Sequence, residues 1–138
     1  MYIVVAYTIF ATTIIKNIMR KLIFASLQVR DLEVSKEFYA NKLGFEVAGI
    51  PNPDACVFKY NAGEASFAIR KPIGDLTGKE LGIGASLWFM VDENLEDLQS
   101  KLISMDVPLL GGINATPFGR TIIAKDPDGY NITFLQPN

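Results

Sequence analysis

Between Leu22 and Asn138 the chain writes one order of strand and helix signals twice, and few folds accommodate that. Ile23 to Val29 is an apolar, strand-like run. Asp31 is suited to cap a helix, and Val34, Phe38 and Leu43 form a helical stripe that Gly44 ends. Phe45 to Ile50 reads as a strand, Pro51-Asn52-Pro53-Asp54 as a turn and Cys56 to Tyr60 as a strand. Asn61-Ala62-Gly63-Glu64 is a hairpin signal, and Ala65 to Arg70 is a further strand. Residues 22–71 therefore read as a βαβββ module. Residues 72–84 carry Gly74, Gly78, Gly82 and Gly84, break the pattern and read as a linker.

The order returns over residues 85–138. Ala85 to Val91 is a strand, Asp92-Glu93-Asn94 an acidic helix start, and Leu95, Leu98 and Leu102 a helical stripe. A strand near Val107 to Leu110 precedes a loop from Gly111 to Gly119. A strand from Arg120 to Lys125, the turn Asp126-Pro127-Asp128-Gly129 and a strand from Tyr130 to Gln136 complete it. Even local text recurs, with Ala25-Ser26-Leu27 matched by Ala85-Ser86-Leu87.

Repeated units of this size cannot bury their apolar faces alone. The expected architecture is α+β, with two βαβββ modules forming paired curved mixed sheets around a cleft and helices on the outer faces. Strand alternation sorts the side chains. Ala25, Leu27 and Val29 belong under the first helix, which leaves Phe24, Ser26 and Gln28 on the concave face. Leu87, Phe89 and Val91 belong under the second helix, which leaves Ser86, Trp88 and Met90 on the concave face. Arg70 shares its parity with Ala68, and Leu135 shares its parity with Thr133. Phe118 lies in a loop beside this scaffold, where recognition residues concentrate.

Composition excludes several classes. There is no histidine, so triads that need imidazole and His-ligated metal sites are impossible. The single Cys56 allows no internal disulfide and no zinc finger, and it is expected to be a small buried hydrophobe in a reducing, cytoplasmic setting. Residues 1–30 hold Lys16, Arg20, Lys21 and Arg30 with no acid. Residues 31–138 hold all 15 acids against nine bases and carry −6. An acidic body of this kind does not suit nucleic acid.

Residues 1–19 are 14 parts apolar with one charge, Lys16. The uncharged run from Tyr2 to Ile15 is short for a spanning helix, and the basic residues follow it rather than precede it as in a secretory signal. Three readings stand for residues 1–21: an extension upstream of a start at Met19, an extra strand, or an interfacial anchor. No membrane contact is expected of the folded body.

The text Leu27-Gln28-Val29-Arg30-Asp31-Leu32, Phe38-Tyr39, Leu43-Gly44-Phe45-Glu46, Phe118-Gly119-Arg120 and Asp126-Pro127-Asp128-Gly129-Tyr130 resembles the vicinal oxygen chelate superfamily across residues 22–137. That family includes glyoxalases, extradiol dioxygenases, fosfomycin resistance enzymes and bleomycin resistance proteins. The resemblance implies metal-ligand places at Phe24, Ala68, Ser86 and Thr133. None of these residues offers imidazole, carboxylate or thiolate, so neither a metal nor another cofactor is expected. The chain thus resembles most the metal-free bleomycin resistance proteins, which sequester a drug between modules, usually as homodimers.

The implied function is non-catalytic binding of a planar small molecule, an antibiotic or an aromatic metabolite. The implied site gathers Phe24, Ser26, Gln28, Ala68, Arg70, Ser86, Trp88, Met90, Phe118, Thr133 and Leu135, with no catalytic residue. The alternative is a lyase, isomerase or dioxygenase-like enzyme with a non-standard site. Arg70 conflicts with a cationic drug, because it favours an acidic or carbonyl-bearing ligand. Asp126 and Asp128 are expected to shape their turn.

Overall fold

A computed structural model describes residues 19–138, so the readings of residues 1–18 lie outside the described residues. Strand β1 (Phe24–Gln28) leads to helix α1 (Leu32–Glu37), then come β2 (Ala55–Val57) and β3 (Ser66–Arg70). The second half supplies β4 (Leu87–Met90), α2 (Leu95–Ser104), β5 (Asn114–Thr116), β6 (Gly119–Lys125) and β7 (Asn131–Pro137). The sheets are mixed and follow one plan. β3 lies between β1, which is parallel to it, and β2, which is antiparallel, while β7 lies likewise between β4 and β6, with β5 added at the edge.

Both helices start where side chains replace missing backbone partners. Asp31 accepts from the Val34 N–H, and Asn94 accepts from the N–H groups of Glu96 and Asp97. In α2 the Leu95, Leu98 and Leu102 stripe is buried as the spacing predicts. In α1 the stripe differs. Val34 is exposed, and Leu32, Ser35, Phe38 and Tyr39 face inward. After Glu37 the helix widens into a π turn over Phe38–Lys42, with the Leu43 N–H bonded to the Phe38 carbonyl five residues back. The extra residue in that turn keeps Phe38 and Leu43, five residues apart, both buried, while Val34, which precedes the turn, lies off the inward face set by Leu32, Ser35 and Tyr39.

Three strand expectations shrink or move. Phe45 to Ile50 contributes only the bridge between Val47 and Phe58, since Gly49, Pro51 and Pro53 cannot continue a ladder there. The segment Val107 to Leu110 gives only the bridge from Leu109 to Ala124, and β5 forms inside the expected loop. A Cβ at Gly119, which sits at φ +138°, would run into the backbone of Gln136 and Pro137. This close approach of β6 to β7 admits only glycine.

One continuous core joins the halves. Leu27, Val29, Phe67 and Ile69 from the first sheet share it with Ile122, Ile132 and Phe134 from the second. Phe89 stands 4.8 Å from Phe45 and 5.0 Å from Phe67, ring centre to ring centre. At its edge the Tyr39 hydroxyl donates to Asp126 at 2.8 Å, and both side chains are buried.

Residues 72–84 are not a loose tether. Arg30 donates to the carbonyls of Leu76 at 3.2 Å and Lys79 at 2.5 Å, and the Ile73 N–H donates to Gln28 Oε1 at 2.8 Å. Gly82 lies against the Tyr130 ring, where a Cβ would come within 2.6 Å. Of the four glycines in this segment Gly82 alone serves close apposition, since Gly74, Gly78 and Gly84 have open space where a side chain would stand. Among the described residues no helix is long and apolar enough to cross a membrane.

Candidate functional site

Alternation along the strands gives each sheet a face turned away from the shared core. On the first sheet this open face carries Phe24, Ser26 and Gln28 from β1, Ser66, Ala68 and Arg70 from β3, and Val57 from β2, in the register Ser26–Ala68–Val57. On the second it carries Trp88 and Met90 from β4, Thr133 and Leu135 from β7, and Thr121 and Ile123 from β6, in the register Trp88–Thr133–Ile123. The expected residues therefore gather into two groups, one on each sheet. Val57, Thr121, Ile123 and Lys125 belong to the same faces, and the alternation of β2 and β6 places them there.

Within the second group Trp88 is the best organised. Its indole N–H donates to Ser86 Oγ at 2.7 Å, and the Phe118 ring stands edge-on to it, with centres 6.1 Å apart and planes 89° to one another. Trp88 is 45% exposed, Phe118 68% and Met90 70%, so three large apolar side chains present one open surface. Isolated apolar exposure is ordinary, but a contiguous patch marks a binding surface. Thr133 lies beneath, buried between Trp88 and Ile123, so its hydroxyl is part of the floor. Leu135 is half-buried beside Met90. A crevice of about 210 Å³ lined by Phe45, Phe89, Met90 and Phe134 opens alongside.

The first group is flatter. Phe24 is half exposed at the start of β1, and Ser26 is exposed. Ala68 is buried in the central strand, flanked by Ser26 and Val57. Gln28 is tied inward, because its side-chain oxygen takes the Ile73 N–H and its carbonyl takes the Tyr130 hydroxyl at 2.8 Å. Arg70 is half-buried, and its Nε donates to the Lys71 carbonyl at 3.1 Å.

Arg120 differs from Arg70. Arg120 lies on the core-side face of β6 and clamps Glu96 of α2 with both η nitrogens, at 2.5 and 2.9 Å, and also donates to Gln136 at 2.7 Å. That hydrogen-bonded guanidinium holds the Glu96 carboxyl down at about 2. Arg120 is thus committed to holding helix to sheet and lies outside the open face.

Asp126 and Asp128 shape their turn and also reach across the molecule. Asp126 Oδ1 accepts the N–H groups of Asp128 and Tyr130 while Oδ2 takes the Tyr39 hydroxyl. Burial raises the Asp126 carboxyl above the usual range and, with the Asp126 charge alongside, raises the Tyr39 phenol as well. Asp128 accepts from the Arg30 N–H at 3.0 Å, from the Arg30 side chain at 3.3 Å and from Ser35 Oγ at 3.3 Å. A sequence reading sees a turn here, because the partners lie about 90 residues away.

The four metal-ligand places hold a phenyl ring, a methyl group, a hydroxyl already accepting from Trp88 and a buried threonine. This donor set does not fit a divalent ion. Among the described residues no cluster of three or more His, Cys, Asp or Glu side chains converges as a metal site would need.

No curated protein matches the sequence. Among solved structures the chain is similar to TnmS3, an antibiotic binding protein from Streptomyces sp. CB03234, with TM-score 0.67 and 23% identity over 87% of this chain and 98% of that one. It is also similar to a glyoxalase/bleomycin resistance protein/dioxygenase from Nocardioides (TM-score 0.70, 17% identity, 96% of this chain and 93% of that one). A lactoylglutathione lyase from Agrobacterium tumefaciens shares the fold too (TM-score 0.64, 15% identity, 86% and 94%). At these identities the likeness is one of fold, and the fold serves proteins described as binders and as enzymes alike. The family model of the Glyoxalase/Bleomycin resistance protein/Dioxygenase superfamily matches residues 21–134, and the chain belongs to that superfamily.

Proposed function

We propose that the protein binds a planar small molecule, an antibiotic or an aromatic metabolite, and does not transform it. The observation that carries this reading is the half-exposed Trp88, fixed by Ser86 and walled by Phe118 on an open sheet face. A held indole is a stacking platform, and orienting it beforehand lowers the entropy lost on binding. The absence of metal-competent donors at Phe24, Ala68, Ser86 and Thr133 supports binding over turnover, since the enzymes of this superfamily rely on a metal held at those places.

The site in this reading comprises Phe24, Ser26, Gln28, Ala68 and Arg70 on one wall and Ser86, Trp88, Met90, Phe118, Thr133 and Leu135 on the other. A homodimer in the cytoplasm completes it, with a second copy covering the apolar surface around Met90 and Trp88. That surface is the support for the dimer, because a large exposed apolar patch favours association. Met90→Lys is expected to raise the dimer dissociation constant about tenfold by placing a charge in a dry contact. Sedimentation equilibrium measures this, and an unchanged dimer would remove Met90 from the interface.

The direct test is titration of the Trp88 fluorescence, the only indole in the chain, with bleomycin and other planar aromatic compounds in EDTA and again with added zinc. Saturable quenching that is the same in both buffers supports the reading. Binding that requires zinc, or recovery of a chemically altered compound, overturns it.

A further inference from the structure

Among the described residues the seven strands contain three charged residues, Arg70, Arg120 and Lys125, and all three are cations. Every one of the 15 carboxylate side chains lies in a helix, cap, turn or loop. A body with a net charge of −6 therefore keeps its acids off both sheets. Arg120 is on the core side and is neutralised by Glu96. Arg70 and Lys125 are on the open faces, and among the described residues neither lies within ion-pair distance of a carboxylate.

The nearest acid to Arg70 along the chain pairing is Asp54, which adjoins its cross-strand partner Ala55. Asp54 lies in the turn before β2 and is engaged by Lys71 at 3.7 Å. Lys125 lines a cavity of about 530 Å³ that also contains Asp128 and Glu80, so its charge is partly offset there. Arg70 has no such company. Its Nε bond to the Lys71 carbonyl fixes the root of the guanidinium, and among the described residues no side chain occupies the two η nitrogens.

We propose that the bound molecule is an anion, a planar aromatic carboxylate, and that Arg70 is the residue that selects it. This rests on the reading of the open faces as the ligand site. A guanidinium meets a carboxylate with two parallel hydrogen bonds, and the pair strengthens as a covering wall excludes water. The same cation repels a cationic drug, and among the described residues the strands of the open faces hold no carboxylate to compensate it.

The experiment compares three ligands of one ring system, 2-naphthoate, 2-naphthamide and 2-naphthylmethylammonium, by calorimetric titration in EDTA at neutral pH. The expected order is naphthoate about tenfold tighter than the amide, and the ammonium weakest. Arg70→Gln is expected to bring naphthoate and amide within about twofold of each other, Arg70→Lys to restore part of the preference, and Arg120→Gln to leave the order as it is. If the ligands bind but the anion is not preferred, or if Arg70→Gln keeps the preference, the charge assignment is overturned and the site stands. If none of the three binds, the open face is not a site for planar aromatics, and both the reading and this inference fall.

Discussion

Asp126→Ala is expected to destabilise the fold by about 3 kcal/mol, the largest single-residue effect among the changes considered. The substitution removes one acceptor from three donors, namely the Tyr39 hydroxyl and the N–H groups of Asp128 and Tyr130. Tyr39 is fully buried, so its hydroxyl would be left without a partner in an apolar surround, which costs more than the lost bond itself. Asp126→Asn keeps an acceptor for the backbone donors and is expected to lose about 1 kcal/mol. Urea unfolding measures both, and equal losses for Ala and Asn would show that the hydrogen bonds contribute little.

The same residue gives stability a pH dependence. Its folded carboxyl titrates above the ordinary value because burial disfavours the charge. The contribution is therefore full below the unfolded carboxylate value and fades as pH rises through the raised folded one. Relative to Asp126→Asn, wild-type stability is expected to fall across that window. A decline of the same size in the Asn variant would assign it to other groups.

Trp88→Ala is expected to weaken ligand binding by about 2 kcal/mol, about 30-fold in affinity, with little change in folding stability. The indole is 45% exposed, so the protein loses modest packing, whereas a stacked ligand loses its main wall. Phe118→Ala acts on the same surface and is expected to cost about fivefold, because its edge-on ring orients Trp88 and adds less area of its own. Since Trp88→Ala removes the fluorophore, calorimetry is the suitable measurement. Unchanged affinity would move the ligand off this face.

Much of this fold is legible in the sequence because strand parity and helix spacing are local. Leu95, Leu98 and Leu102, the N-caps at Asp31 and Asn94, and the outward set of Trp88 and Met90 all follow from periods of 3.6 and two. What stays hidden depends on distant partners or on irregular backbone. The π turn at Phe38–Lys42 interrupts the regular helical period, and Val34 reads as inward although the buried face of α1 is set by Leu32, Ser35 and Tyr39. The packing of residues 72–84 stays hidden because its anchor, Arg30, is an unremarkable residue after a strand. In the site, the parity of β1 and β4 is enough to find both open faces. The commitment of Gln28 to Ile73 and of Arg120 to Glu96 depends on side-chain partners 45 and 24 residues away.

The lock between Tyr39 and Asp126 sets a direction on an otherwise repetitive chain. Counting from the two N-caps, the place of Tyr39 in the second helix is taken by Leu102, which is buried and has no hydroxyl to satisfy. The turn in the first half that corresponds to Asp126-Pro127-Asp128-Gly129 is Asn61-Ala62-Gly63-Glu64, whose Glu64 bonds only within its own hairpin. Two first halves joined together would bury a phenol without an acceptor, and two second halves would leave Asp126 Oδ2 without its donor, only Oδ1 being served by its own turn. Only unlike halves satisfy both groups, so the pseudo-symmetry of the backbone is overruled by one hydrogen bond and the two modules are complementary rather than interchangeable.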